Sequence, residues 1–106
     1  MKTIKSKLSL VFAKYVVKQN NSWKKNPLIF QKKIMLKLIG RAKNTSFGKD
    51  HSFHSIKNYE DFKKNVPIRD YEDLSKYIDL IKQGKKNILW PGYPKYLCKT
   101  SGTTSG

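Results

Sequence analysis

Apolar side chains recur at helical spacing along most of this sequence, and that periodicity most restricts what the chain can form. A first amphipathic helix is predicted to begin near Ile4 and to carry lysines on its other faces. A second is predicted to begin at Pro27, because proline tolerates the first helical position and Asn26 can cap it. The apolar positions of the two helices are Ile4, Leu8, Val11, Phe12, Tyr15 and Val16, then Leu28, Phe30, Ile34, Met35, Leu38, Ile39 and Ala42.

Two polar stretches separate the predicted helices. Residues 18–25, rich in lysine and asparagine, are typical of a connector between the first two helices. Residues 44–55 are typical of a loop in which Gly48 makes a turn.

Two further helices are predicted from their boundary residues. Asn58 can cap a short third helix, which Pro67 must end. Asp70 and Asp73 resemble a capping pair for a fourth helix, and Gly84 is a natural stop after its last turn. The sequence therefore predicts about four helices in a helical subdomain covering residues 1–94.

The last twelve residues differ in character from the rest. Residues 95–99 are predicted to form one short β-strand, and residues 100–106 a tight turn rich in hydroxyl groups. A lone strand leaves its backbone groups unpaired, and four helices offer it no partner. We therefore expect the chain to be the leading piece of a larger protein whose sheet begins here.

The charge distribution is strongly uneven. The formal net charge is +16, and residues 1–49 hold twelve lysines and Arg41 without a single acid. Such a segment can bind nucleic acid or an anionic membrane surface, or can be a solvated face of a longer protein. Lysine outnumbers arginine 21 to 2, which argues against specific nucleic-acid recognition, because base-edge contacts favour the planar guanidinium.

The remaining chemically active residues are few. Cys98 is the only cysteine, so an intrachain disulfide is excluded and a cytoplasmic location is expected. His51 and His54 have no further histidine and no neighbouring cysteine to complete a metal site, so we expect them to be loop residues. We expect no transmembrane segment, because no apolar run approaches the length of about 18 residues that a bilayer requires.

A hydroxyl-rich glycine loop ends the sequence and suits phosphate. Glycine permits positive φ and close approach of the backbone to an anion, and consecutive N–H groups can then converge on its oxygens. This is not a Walker A loop, because the glycine–lysine–serine/threonine ending is absent. On composition alone, a plain flexible loop is an equal alternative. The loop consists of Thr100, Ser101, Gly102, Thr103, Thr104, Ser105 and Gly106.

The sequence YLCKTSGTTSG at 96–106 resembles the first nucleotide-binding motif of the adenylate-forming enzymes. Three upstream segments are similar to the auxin-responsive-promoter family of acyl-acid amido synthetases within that superfamily. They are AKNTSFGKDH at 42–51, YEDFKKNVPIRDYEDL at 59–74 and GKKNILWPG at 84–92. The likeness covers roughly residues 28–106, and the four segments together are far more specific than the loop alone.

The resemblance implies an α/β parent fold and a two-step ligase reaction. The family uses ATP and Mg²⁺ to convert a carboxylic acid to an acyl-adenylate, and then transfers the acyl group to an amine or amino acid. Ser101, Thr103 and Thr104 are the expected phosphate contacts, with Gly102 and Gly106 shaping the turn. Thr100 and Ser105 complete the expected nucleotide-binding set, and no catalytic or metal-ligating residue is expected within the chain.

The 106 residues alone are expected to be inactive, because the acyl pocket, the adenine contacts and the metal-binding acid of the family have no match here. An acyl-CoA or aryl-CoA ligase of the same superfamily would share the loop but end in a thiol acceptor. A small basic module that binds nucleic acid or an anionic membrane is the alternative from another class.

Overall fold

A computed structural model describes residues 3–98 of the chain. Over that range the regular structure consists of five α-helices and one short 3₁₀-helix. The chain divides into two units, Met1–Lys37 and Leu38–Gly106. The elements are α1 (Ile4–Lys25), α2 (Pro27–Ala42), α3 (Ser46–Asp50), the 3₁₀-helix (Phe53–Ser55), α4 (Tyr59–Asn65) and α5 (Tyr71–Lys82).

The predicted polar connector at 18–25 is wrong, because helix α1 continues to Lys25. Lysine and glutamine are good helix formers, so polarity by itself does not end a helix. Side-chain pairs one turn apart also support this part: Gln19 Nε2 donates to Tyr15 Oη at 2.6 Å, and Trp23 Nε1 donates to Asn20 Oδ1 at 3.1 Å. The break comes only at Pro27, which is the first residue of α2 as predicted.

The predicted loop at 44–55 contains two short helices instead. Helix α3 and the 3₁₀-helix occupy most of it, and Gly48 lies buried inside α3 rather than in a turn. Thr45 explains the start of α3: its Oγ1 accepts a hydrogen bond from Gly48 N at 3.0 Å and donates to Ala42 O at 2.7 Å. A helix of five residues shows too little periodicity to be detected by spacing.

The two predicted caps of the later helices are confirmed. At the start of α4, Asn58 Oδ1 accepts from Asp61 N at 2.9 Å, and Asp61 Oδ2 accepts from Lys57 N at 2.9 Å. At the start of α5, Asp70 Oδ1 accepts from Asp73 N at 3.0 Å. These contacts satisfy backbone N–H groups that a first helical turn leaves free, so they fix where both helices begin.

The core of the second unit forms where helix α5 meets the segment that follows it. Tyr77, Ile81 and Ile88 are buried together, and the partly buried Phe47, Leu74, Leu80 and Leu89 pack against them. Helix α2 contributes Ile39 and Ala42, which are its only buried residues. The buried cluster thus brings together residues that lie more than 40 positions apart in the sequence.

The predicted terminal strand is wrong over the part that the structure describes. Residues 95–98 are irregular, and no β-strand occurs within residues 3–98. A strand needs a neighbour to take its backbone hydrogen bonds, and the helices of this chain supply none. The observed fold class is therefore all-helical between residues 3 and 98, with five α-helices in place of about four. Lys99 and the predicted phosphate loop lie outside the described residues.

Candidate functional site

The candidate site is the segment that carries the chain toward the hydroxyl-rich loop. The seven predicted nucleotide-binding residues, Thr100, Ser101, Gly102, Thr103, Thr104, Ser105 and Gly106, lie outside the described residues. What the structure describes is their approach, residues 84–98, and the groups that hold it. Along this approach Tyr96 and Leu97 are exposed, and Cys98 carries an exposed free thiol.

A tight turn between Asn87 and Gly92 forms the first part of the approach. Asn87 N donates to Gly92 O at 2.8 Å, and Gly92 N donates to Asn87 Oδ1 at 2.7 Å. Both residues have positive φ, 56° for Asn87 and 89° for Gly92. Glycine adopts this conformation without strain and asparagine tolerates it better than most residues, so the GKKNILWPG segment suits this turn.

Two backbone hydrogen bonds attach this turn to the start of helix α3. Ser46 N donates to Asn87 O at 2.9 Å, and Phe47 N donates to Ile88 O at 3.0 Å. The N–H groups of a first helical turn have no partner inside the helix, and here the turn supplies their acceptors. Ile88 is also buried in the core, so both polar and apolar contacts hold this residue. We call residues 45–51, 77 and 87–92 the loop platform.

Aromatic packing fixes the other side of the loop platform. The rings of Phe47 and His51 are stacked with centroids 4.0 Å apart, and Phe47 meets the Tyr77 ring edge-on at 5.1 Å. His51 is buried, and its Nδ1 donates to Phe47 O at 2.7 Å. His51 lies in the turn that follows α3, but it is buried in the core, whereas His54 is exposed.

A buried tyrosine links the loop platform to helix α5. Tyr77 is 2% exposed, and its Oη donates to Asp50 Oδ2 at 2.7 Å. Burial raises the pKa of the Tyr77 hydroxyl above 10.0, and the hydrogen bond to Asp50 and the charge of that carboxylate raise it further, while Arg69 opposes them. The phenol therefore stays protonated and donates, which ties AKNTSFGKDH to α5.

Trp90 closes the outer edge of the loop platform. The guanidinium carbon of Arg41 lies 5.3 Å from the centroid of the Trp90 ring, in a cation–π contact. Trp90 is 41% exposed, so it combines this contact with a free face. Trp90 therefore lies at the edge of the core rather than inside it.

The loop platform brings together the segments that the sequence singled out separately. The segments at 42–51 and 84–92 contact each other directly, and Asp50 and Tyr77 connect them to α5. The sequence did not indicate the roles of Thr45 and Asn87, although each has a recognisable signal: a hydroxyl three residues before a helical glycine, and an asparagine five residues before a glycine. Within residues 3–98, no three His, Cys, Asp or Glu side chains come together to hold a metal ion.

Comparison with known proteins assigns the class of protein. The model of the family described as "GH3 family N-terminal domain" matches residues 16–106, which include both platform segments and the hydroxyl-rich loop. This chain belongs to the GH3 family. The match confirms the resemblance to amido synthetases seen in the motifs, and it begins after the first turns of α1.

Curated relatives come from Arabidopsis thaliana. The chain is 29% identical over 83 residues to indole-3-acetic acid-amido synthetase GH3.4, an alignment that covers 77% of this chain and 14% of that protein. It is also 29% identical over 83 residues to indole-3-acetic acid-amido synthetase GH3.2, an alignment that covers 77% of this chain and 15% of that protein. It is 45% identical over 47 residues to GH3.15, covering 44% of this chain and 8% of that protein.

The chain thus spans about one seventh of the length of the first of these relatives. No solved structure matches it. The relatives are amido synthetases by name, and such enzymes are ligases that join a small acid to an amino group.

Proposed function

We propose that this chain is the N-terminal, phosphate-loop-bearing part of an ATP-dependent acyl-acid amido synthetase. The observation that carries the proposal is the family match across residues 16–106, which includes the loop and the two segments that anchor its approach. The proposed division of labour is a helical subdomain at 1–94 and a loop segment at 95–106. The substrates would be a small-molecule carboxylic acid and an amine or amino acid.

The proposed reaction has two steps. A carboxylate oxygen attacks the α-phosphorus of ATP, which forms an acyl-adenylate and releases pyrophosphate. The lone pair of the amine then attacks the acyl carbon, the C–O bond to AMP breaks, and the amine nitrogen loses a proton. Adenylation is needed because a carboxylate oxygen is a poor leaving group and AMP is a good one.

The loop residues fit phosphate by their chemistry. Ser101, Thr103 and Thr104 would donate hydroxyl and backbone hydrogen bonds to phosphate oxygens, and such fixed donors act best where charge develops on a leaving pyrophosphate. Gly102 and Gly106 would let the backbone approach closely. Residues 100–106 contain no carboxylate side chain, so any carboxylate ligand of Mg²⁺ bound with ATP would come from elsewhere.

The loop platform supports this role by holding residues 87–92, the first part of the approach. Hydrogen bonds at both ends of the Asn87–Gly92 turn, together with the buried Ile88, leave this part of the chain few alternatives. A phosphate loop gains from a rigid root, because donors that are already placed do not have to be ordered when the nucleotide binds. We propose a cytoplasmic enzyme, where an exposed thiol such as that of Cys98 stays reduced.

The proposal is tested by sequencing the coding DNA beyond the Gly106 codon and assaying the complete product. We expect an open frame and pyrophosphate release that requires ATP and a carboxylic acid, whereas residues 1–106 alone release none. The double variant Ser101→Ala/Thr103→Ala should lose at least about a hundredfold in activity, the low end for one lost transition-state donor. The matched control Ser6→Ala/Ser9→Ala, in α1, should keep full activity.

The acceptor distinguishes an amido synthetase from the related CoA ligases. Mass spectrometry of the products should show an amide when an amino acid is supplied and no thioester when coenzyme A replaces it. A thioester product, or a stop codon directly after Gly106 in an intact gene, would refute the proposal.

A further inference from the structure

Helix α1 has an arrangement of side chains that the proposed ligase function does not use. The helix spans 22 residues and contains no buried residue. It carries six lysines and no acid. The family match begins only at residue 16, so more than half of the helix precedes it.

Seven of the nine large apolar residues of α1 lie on one side of the helix, which we call the apolar arc and which also holds Lys5, whereas Leu10 and Val17 lie on the opposite side. At 3.6 residues per turn, these seven fall within an arc of about 140° around the helix axis. They are strongly exposed, as Ile4 (79%) and Phe12 (68%) illustrate. The seven are Val11, Ile4, Tyr15, Leu8, Phe12, Trp23 and Val16, in order around the helix.

Four lysines line one edge of this arc. Lys7, Lys14, Lys18 and Lys25 are spaced seven, four and seven residues apart, which places them within about 40° of one another. The stripe lies directly beside the apolar residues, at the position where long lysine side chains can keep the ammonium group in a headgroup layer while their stems follow apolar surface.

We propose that α1 lies in the interface of an anionic lipid bilayer, with its apolar arc inserted among the acyl chains and its lysine stripe among anionic headgroups. No helix within residues 3–98 has the length and apolarity needed to cross a bilayer, and this placement needs no crossing. Charge complementarity selects the occupant: an acid-free basic helix is drawn to the negative surface of a cytoplasmic leaflet. The proposal is independent of the ligase function.

The same features disfavour nucleic acid as the occupant. A phosphate backbone would engage the lysine stripe but would leave seven exposed apolar side chains in water. The helix also lacks arginine, which is the residue best suited to planar recognition of phosphate or base edges.

Co-sedimentation of the 106-residue chain with lipid vesicles tests the proposal. Vesicles of phosphatidylcholine containing 30 mol% phosphatidylglycerol, roughly the anionic content that gives a cytoplasmic-type surface potential, should pellet the protein. Vesicles of phosphatidylcholine alone should not. Binding to the mixed vesicles should weaken as salt is raised, because the Debye length shortens.

Two variants separate the two parts of the helix surface. Replacing Lys7, Lys14, Lys18 and Lys25 by glutamine should weaken binding at least about a hundredfold, since each lysine near such a surface contributes about fivefold. Leu8→Ser/Phe12→Ser should weaken it at least about tenfold through lost apolar burial. Neither change removes a buried side chain, so the second unit should keep its fold.

Matched controls lie in the second unit. Glutamine at Lys57, Lys64, Lys85 and Lys86, which are also exposed, should leave binding within about threefold of the parent, because these lysines are not part of α1. Ile68→Ser/Leu97→Ser removes two exposed apolar residues of the second unit and should also leave binding unchanged.

Four outcomes would overturn the proposal. They are failure to pellet with the anionic vesicles, equal loss of binding in the control lysine variant, displacement from the vesicles by equimolar duplex nucleic acid, and a dimer by light scattering that the Leu8→Ser/Phe12→Ser change dissolves without altering lipid binding.

Discussion

Two glycines in the second unit allow the packing around helix α3 to be tested with opposite expected signs. Gly48 is buried within α3, and Gly40 lies in α2 on an exposed face. Both positions are helical, so alanine should be intrinsically favoured at each by about 0.8–1 kcal/mol. The two replacements therefore differ mainly in what the added methyl group meets.

At Gly48 the added carbon has no room. It would overlap the Ala42 carbonyl oxygen and lie 2.9 Å from the carbonyl carbon, where ordinary contact begins at 3.4 Å. The carbonyl cannot easily retreat, because its oxygen accepts from both Thr45 N at 3.0 Å and Thr45 Oγ1 at 2.7 Å. At Gly40 nothing lies within 4 Å of the added carbon.

We expect Gly48→Ala to lower the free energy of unfolding by about 2–4 kcal/mol, combining overpacking with a damaged helix cap. Gly40→Ala should raise it by about 0.5–1 kcal/mol. Urea titration followed by Trp90 fluorescence measures the change in the second unit. A shared Trp23→Phe background removes the other tryptophan from the signal.

The signs of the two changes in the free energy of unfolding decide whether the packing at Gly48 constrains the fold. If Gly48→Ala is as stable as its parent, or if both variants shift by the same amount, the close packing between Gly48 and Ala42 is not a constraint on the fold. A crystal structure of the Gly48→Ala protein would then show Ala42 displaced without loss of the Thr45 hydrogen bonds.

Substitutions at three positions of the loop platform are measured by the same titration. Thr45→Val keeps the shape of a side chain that is 1% exposed but removes its two hydrogen bonds, and it should cost about 1.5–3 kcal/mol. Thr45→Ser keeps the hydroxyl and should cost under about 1 kcal/mol. Equal costs for the two variants would contradict the importance of these hydrogen bonds. Tyr77→Phe should cost about 0.5–1.5 kcal/mol at neutral pH. The pKa of Tyr77 in the folded protein is raised above 10.0, so the protonated hydroxyl contributes fully to the free energy of unfolding below pH 10.0. That contribution is lost as the pH rises through the folded-state pKa, so the phenylalanine variant should lose less stability than its parent between neutral and strongly alkaline pH. Parallel stability profiles of the two proteins would refute this. Asn87→Ala should cost about 1–3 kcal/mol, because alanine loses the hydrogen bond from Gly92 N and must adopt positive φ. Asn87→Gly should cost less, because glycine accepts that φ. The reverse order would exclude backbone strain at this turn.

Local sequence signals predicted helix starts well. Pro27, Asn58 and Asp70 were each expected to begin or cap a helix, and each does so in the structure. These signals succeed because a cap contacts backbone groups only two or three residues away, so the relevant geometry is contained in the local sequence. Helix α1 is longer than predicted, because the polar residues 18–25, which the sequence indicated as a connector, are helical.

Short elements and isolated strands were beyond local reasoning. Helix α3 spans five residues, and its start depends on the hydroxyl of Thr45, with acceptors for its first N–H groups supplied from residues 87 and 88. The strand predicted at 95–99 had suitable residues but no partner, and residues 95–98 are irregular. The missed helix α3 and the wrongly predicted strand both concern backbone groups whose hydrogen-bond partners would not be near them in the sequence.

The candidate site divides in the same way. The motifs at 42–51, 59–74 and 84–92 identified the family from the sequence, and the family match confirms it. Three features followed only from tertiary contacts: Asp50 accepts from Tyr77, Arg41 lies over Trp90, and His51 is buried in the core. The assignment of residues 100–106 to phosphate stays a prediction, because they lie outside the described residues.

The sequence by itself determined the helical character of this protein, the starts of α1, α2, α4 and α5, and its family, because propensity, capping and motif spacing act over a few residues. Only the tertiary structure decided how the approach to the loop is held. The Asn87–Gly92 turn and the start of α3 are about 40 residues apart, and each supplies the hydrogen-bond partners that the other lacks. Such partnerships depend on how the chain returns upon itself, which no local pattern encodes.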